Sequence, residues 1–247
     1  MDLFGEMSVA ILSPIMFDYP KFWVSMVNMI GFSWHHGIRV EEIAITERTV
    51  VDWARNDLAK EALKRKSMYT DKPYTHFLWL DSDHIFKADL CCQLARHDVD
   101  MVSAVYYKRL QDPTPLIYTL NREDPEELAH FPLLEIPPRL CRVDAFGFGA
   151  CLMKREVLER VPEPWFTIDW RAGEDIAFCS RARRHGVGIF VDGQYTIAHI
   201  GENKIICRDQ YEQWYKDNEE KIINDRVEIQ LGGKYDADEH HFHKGAT

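Results

Sequence analysis

The stretch Phe77-Leu78-Trp79-Leu80-Asp81-Ser82-Asp83 most constrains what this chain can fold into. Four apolar residues run unbroken and then give way to two carboxylates with one residue between them. An apolar run that ends in a polar break is the pattern of a strand buried on both faces, the setting of a parallel sheet covered by helices. In extended chain, side chains at i and i+2 share a face, so Asp81 and Asp83 point together while Ser82 points away. Two carboxylates at the carboxyl end of such a strand, where open α/β sheets bind ligands, repel each other unless a cation joins them. A hard divalent ion with oxygen ligands meets that need, and its open positions suit a diphosphate. Taken alone, Asp-Ser-Asp reads equally well as a turn, since both residue types form turns readily. Its place after the apolar run, and its partners downstream, favour the metal.

The rest of the chain fits an α/β fold. Residues 8–15 read as a strand, Pro20 suits the first turn of a helix, and Phe22, Met26 and Ile30 recur along one face of it. Residues 38–45 form a second strand, and Thr49 is placed to cap a helix reaching about Lys66, with Val50, Ala54, Leu58 and Ala62 on its apolar side. After the strand ending at Asp81 come a helix over 88–97 and a strand over 100–106. This alternation predicts a Rossmann-type, mostly parallel sheet with helices on both faces. Residues 109–142 are rich in Pro and charge and read as a partly antiparallel excursion over the site. Regular structure resumes over 143–153, followed by helices at 154–161 and from Gly173, short strands at 188–191 and 195–199, and a polar helix over 208–226.

A chain of 247 residues holds one large α/β domain or two small ones. The formal charge of −10 argues against broad non-specific nucleic-acid binding but leaves room for a local basic channel. No run approaches the roughly 18 apolar residues that span a bilayer, and no basic start precedes an apolar stretch. The six Cys include no Cys-x-x-Cys, and Cys151 and Cys179 sit in apolar patterns, which together predict reduced thiols and a cytoplasmic setting.

Three further segments carry chemistry. Gly173-Glu174-Asp175 opens a helix; acidic residues in a first turn are ordinary dipole chemistry, yet a carboxylate held there beside a cleft also suits a general base. Trp165 and Trp170 just upstream offer flat surfaces for sugar rings, or else anchor the core. The loop Phe146-Gly147-Phe148-Gly149 has glycines that let backbone approach a ligand. His199 closes a short strand, where an imidazole is either structural or a third ligand for an ion such as manganese.

In order and spacing, Asp81-Ser82-Asp83, the Phe146–Gly149 loop, Glu174-Asp175 and His199 resemble the GT-A-fold glycosyltransferases, and are most similar to small family-2-like members, many of them encoded by bacteriophages. Ala54-Arg55-Asn56 matches a further recurrent element near the nucleotide. The resemblance implies Asp81, Asp83 and His199 as ligands of Mn2+ or Mg2+, Asp175 as the base, and Glu174 as a binder of the donor sugar. It implies a nucleotide-sugar donor, UDP-sugar above all, contacted by Pro14, Ile15, Glu47, Arg55, Asn56, Asp81, Ser82, Gly147, Phe148, Gly149 and Trp170. Residues 1–108 would form the nucleotide-binding half and 109–205 the acceptor half of a catalytic domain spanning 1–205, with 206–247 a C-terminal helix and tail. No membrane anchor or lectin module is expected. Gln213-Trp214-Tyr215 departs from the Gln-x-x-Arg-Trp of processive synthases, so transfer of a single sugar is expected. The acceptor hydroxyl belongs to a saccharide, a protein or a hydroxymethylated base in DNA. For the last, Tyr106-Tyr107-Lys108-Arg109 with Arg181, Arg183 and Arg184 offers groups that could follow a phosphate backbone, unless those arginines are a solvated face.

Two other classes compete. A nucleotidyltransferase usually has a Gly-rich basic loop after its first strand, and Ser13-Pro14-Ile15-Met16 has neither glycine nor cation. A non-catalytic sugar-binding protein needs no carboxylate pair and base. The tail histidines His240, His241 and His243 read as a solvated end.

Overall fold

Strand and helix alternate through the first half: β1 (Ser8–Ile15), α1 (Pro20–His35), β2 (Arg39–Glu47), α2 (Val51–Lys64), β3 (His76–Leu80), β4 (His84–Ile85), α3 (Leu90–Ala95) and β5 (Met101–Val105). The second half is β6 (Ile117–Leu120), β7 (His130–Pro132), β8 (Leu140–Arg142), β9 (Ala145–Phe146), β10 (Ala150–Lys154), α4 (Arg155–Arg160), α5 (Glu174–Arg184), β11 (Ile189–Thr196), β12 (Ala198–Ile200), β13 (Ile205–Ile206) and α6 (Arg208–Asp217). The computed structural model describes residues 6–47, 49–110, 112–121, 130–169, 171–202 and 204–223. Trp170 and the tail histidines lie outside the described residues.

Seven strands form the central sheet in the order β2-β1-β3-β10-β5-β11-β8. Strands β1, β2, β3, β5 and β11 run one way, and β10 and β8 oppose them. The sheet is mostly parallel, as the alternation of strand and helix predicts, but β3 and β5 are not neighbours. Between them lies β10, antiparallel to both, with Cys151 facing Trp79 on one side and Ser103 on the other. Its Ala150-Cys151-Leu152-Met153 run is buried throughout, and an uninterrupted apolar strand is tolerated only where both faces are covered.

Alternation divides the core into two layers. Phe77, Trp79, Cys151 and Met153 pack with Leu58 of α2 and Phe178 of α5; Leu78, Leu80 and Leu152 pack with Phe22, Met26 and Met29 of α1 and Leu90 of α3. All six cysteines are free thiols.

Several boundaries differ from expectation. Thr49 does not cap α2: Val50 is the N-cap, in extended conformation and without a side-chain cap bond, and it is exposed. The buried stripe is Ala54, Arg55, Leu58, Ala59 and Ala62, so a charged residue sits where periodicity alone asks for an apolar one. The two short strands expected over 188–199 are β11, which shifts register between Asp192 and Thr196, and β12. The helix expected over 208–226 is interrupted: α6 ends at Asp217 with Asn218 its C-cap, and helical residues resume over 219–223, the last of the described residues.

Two small antiparallel sheets sit beside the central one. The excursion supplies β6 and β7, which join β9 in the order β7-β6-β9, and β13-β12-β4 lies at the carboxyl end of β3. In the latter, His199 pairs directly with His84.

Candidate metal centre and cleft

The register of β4 on β12 assembles the site. Ser82 and Asp83 form the turn between β3 and β4, and the Asp83 carbonyl accepts the backbone N–H of Ile200 at 2.7 Å, fixing that turn to β12. Asp83, His84 and His199 thereby offer ligand atoms that all lie within 4.8 Å of one another, a cluster able to hold a metal ion. His84 and His199 are buried, at 1% and 7% exposure. Each ring points its Nδ1 at a backbone carbonyl: His84 at Ala198 O (3.3 Å) and His199 at Tyr107 O (2.7 Å). With Nδ1–H donated, the lone pair of each Nε2 faces the Asp83 carboxylate, at 3.9 Å for His84 and 3.3 Å for His199. Acceptors turned toward one another in this way require a cation or a proton between them, and backbone-oriented imidazoles are how metal-binding histidines are held.

Electrostatics agree with a ligand role. Burial drives the His84 imidazole down to about 4, so it is neutral at physiological pH. Burial works to raise Asp83, but when the imidazoles are protonated the hydrogen bond from His199 and the charges of His84 and His199, with that of Arg109, outweigh it and hold Asp83 well below the usual carboxylate range; a bound cation would stand where that proton does. One carboxylate and two imidazoles is a donor set for a transition ion; Mg2+ prefers oxygen ligands and its own waters.

Tyr106 packs against both rings, 4.5 Å from His84 and 5.7 Å from His199, and its hydroxyl accepts the N–H of Gly149 at 2.9 Å. The glycines of the Phe146–Gly149 loop serve these side chains. A Cβ on Gly149 would collide with His84 Nε2 and lie 2.8 Å from Tyr106 Cζ; one on Gly147 would collide with the Tyr106 hydroxyl. Beside the expected approach of this loop to a ligand, the structure shows the loop backbone in close approach to Tyr106 and His84.

A second corner of the cleft is organised by Arg55, which is 2% exposed. Its Nη2 donates to both oxygens of Asp81 at 2.9 and 3.1 Å, and its Nε donates to Glu174 at 3.1 Å. Trp79 and Phe148 flank the guanidinium at 5.7 and 5.6 Å. Burial works to lower its pKa, but Asp81, Glu174 and Asp175 together hold it above its ordinary value. Asp175, in the first turn of α5, accepts the N–H of Ile176 at 2.7 Å. Burial, reinforced by the charge of Glu174, pushes its carboxyl up to about 7.

The two corners share one cleft of about 430 Å³. Asp81, Asp83, Glu174 and Asp175 face the cations Arg55 and Arg109 across it, leaving negative charge for a bound cation to offset. Pro14, Ser82 and Phe148 also line it. Of the three residues expected as ligands, Asp83 and His199 belong to the metal-capable cluster; Asp81 does not, being taken by Arg55, and His84 stands in its place. Asn56 is turned away: its amide donates to Phe166 O at 2.6 Å and accepts Phe166 N–H at 3.1 Å, tying α2 to the segment before α5. Ile15 packs against the layer under α1, and Glu47 is exposed at the end of β2; neither lines the cleft. Trp165 is a core anchor at 3% exposure, its Nε1 donating to Leu158 O and Val161 O. On α5, Arg183 pairs with Asp144 at 3.5 Å and is mostly buried, so the three arginines are not a uniform solvated face.

Sequence reasoning missed His84, and it placed Tyr106 among groups that could follow a phosphate backbone rather than against the imidazoles. The signal for His84 was its place directly after Asp83, in a strand too short to show periodicity.

No protein-family model matches the chain, and no curated protein matches it by sequence. Among solved structures it is similar to A197 from STIV, at a TM-score of 0.53 and 20% identity, covering 81% of this chain and 93% of that one. It is more distantly similar to GalNAc-T7 crystallised with UDP, GalNAc and Mn2+, at a TM-score of 0.45 and 12% identity, covering 78% of this chain and 43% of that one. The first likeness is one of fold alone, shared with the mixed α/β, mostly parallel sheet described above, and leaves the chemistry of the cleft to be argued from its own residues.

Proposed function

We propose that this chain is a metal-dependent glycosyltransferase of GT-A type that moves one sugar from a nucleotide sugar, a UDP-sugar foremost, to an acceptor hydroxyl. The observation that carries the reading is the pair of backbone-oriented imidazoles turned on Asp83, in one cleft with a carboxyl whose pKa is raised to about 7. Asp83, His84 and His199 hold the ion, and their two nitrogens favour Mn2+ over Mg2+. When bound, the ion supplies charge neutralisation for the departing diphosphate. Asp175, ionised above about pH 7, takes the proton of the acceptor hydroxyl as its oxygen attacks the anomeric carbon, with inversion. Arg55 sets Asp81 and Glu174 rigidly toward the nucleotide and the donor sugar, and Pro14, Ser82 and Phe148 contact the donor. Residues 1–108 hold the nucleotide and 109–205 the acceptor, whose hydroxyl belongs to a saccharide, a protein or a hydroxymethylated base.

The test is a thermal-shift and hydrolysis screen of nucleotide sugars with and without Mn2+. Metal-dependent stabilisation and slow release of a nucleoside diphosphate, both lost in Asp83→Asn, support the assignment. If no nucleotide sugar gives a metal-dependent response, the assignment is wrong.

A further inference from the structure

The cleft holds two guanidinium groups in contrasting circumstances. Arg55 is pinned: its side chain is 3% exposed, and Nη2 and Nε are both engaged. Arg109 has a side chain 47% exposed and, among the described residues, a single ion-pair partner, Asp83, whose Oδ2 accepts Nη1 at 2.7 Å. That oxygen is also the one facing His199 Nε2 at 3.3 Å. The backbone leading to Arg109 is tied down, since Tyr107 bridges to Pro115 and Lys108 N–H donates to Thr114 O at 3.0 Å. The half-exposed side chain beyond it has room to turn.

A dication bound by Asp83 and His199 and a guanidinium on the same carboxylate oxygen repel strongly at contact distance. One of them must leave. The other carboxylates lining the cleft are engaged: Asp81 and Glu174 are held by Arg55, and Asp175 is bonded to the Ile176 N–H. A diphosphate would bring the displaced Arg109 a multiply charged acceptor, which guanidinium binds in bidentate fashion.

We propose that Arg109 is a movable counter-charge, competing with a divalent cation for Asp83 and turning to the diphosphate once the cation holds that carboxylate. This rests on the metal-centre reading above and adds a switch to it. Release of the diphosphate returns Arg109 to Asp83 and weakens the hold on the ion, which couples the two departures.

The experiment is calorimetric titration of the full chain with Mn2+ alone, and then with UDP at saturating Mn2+. Arg109→Gln should bind Mn2+ alone about fivefold more tightly than the unaltered chain, and UDP in the presence of Mn2+ about fivefold more weakly. Lys108→Gln, which removes the same charge one residue away, should change neither by more than about twofold. The Arg109 side chain is half exposed, so its replacement does not threaten folding. Unchanged or weaker Mn2+ binding in Arg109→Gln, with the unaltered chain still binding Mn2+, overturns the switch and leaves the metal centre standing. An equal gain in Lys108→Gln also overturns it, because the effect is then general charge. Unaltered UDP affinity removes the second half of the proposal. If no form of the chain binds Mn2+, the metal centre itself falls and the switch with it.

Discussion

The two corners of the cleft are built by different means. The Asp83–His84–His199 corner is assembled by backbone: strand pairing sets His84 opposite His199, and carbonyls aim both rings. The Asp81–Glu174 corner is assembled by one side chain, Arg55, sunk between Trp79 and Phe148. Backbone placement gives a precise geometry that is spoiled by steric change. Placement by a buried charge is spoiled by loss of the charge. Substitutions can therefore tell the corners apart.

The largest effect should come from Arg55→Ala. It leaves Asp81 and Glu174 facing each other without their cation, and loss of one member of a buried ion pair costs about 3–5 kcal/mol. Urea unfolding measures it; a loss under about 1 kcal/mol would mean that this corner is not held by Arg55. Next is Gly149→Ala, whose new methyl meets His84 and Tyr106. Overpacking of this kind costs about 1–3 kcal/mol, and Mn2+ affinity should fall with it, while Asp175 keeps its titration. If Mn2+ binds Gly149→Ala as tightly as before, the imidazoles do not depend on the close fit of loop and ring.

A subtler separation comes from pH. The Asp175 carboxyl is raised from an ordinary value of 3.8 to about 7 in the fold, so the folded state binds that proton more tightly than the unfolded chain. Its contribution to stability is complete below about pH 4 and is lost progressively as pH rises to about 7. Asp175→Asn should remove that decline, gaining thermal stability relative to the unaltered chain at pH 8 but not at pH 4, and should abolish transfer at every pH. Parallel melting curves for the two chains across that range would contradict the raised pKa. The smallest effect is a control remote from both corners. Gly31 lies on the open face of α1, and a Cβ added there would meet nothing within 4 Å among the described residues. Gly31→Ala should therefore stabilise by roughly 0.5–1 kcal/mol through helix propensity alone.

What could be read in advance follows from the range of the interactions. Strand β1 spans the expected residues, and β3 ends where the apolar run breaks, because local hydrophobicity and turn chemistry decide both. The insertion of β10 between β3 and β5 was not legible; its apolar run announces burial but not its direction or neighbours. Likewise His84 becomes a partner of His199 only through pairing of strands two or three residues long, far apart in sequence. Arg55 broke the apolar stripe of α2 in plain view, and a cation on a buried face asks for carboxylates, which Asp81 and Glu174 provide. The Gly-x-Gly loop was legible as a place of close approach, while the group that approaches came from another strand.

Tyr107 joins the metal corner to a helix outside the central sheet. Its carbonyl orients His199, and its ring stacks on Tyr211 of α6 at 5.0 Å and 18°. Helix α6 is in turn moored by Trp214 to Asp112 and by Tyr215 to Glu135. Helix α6 thus reaches the cleft only at second hand: none of its residues lines it, yet its ring contact supports the residue whose carbonyl orients His199.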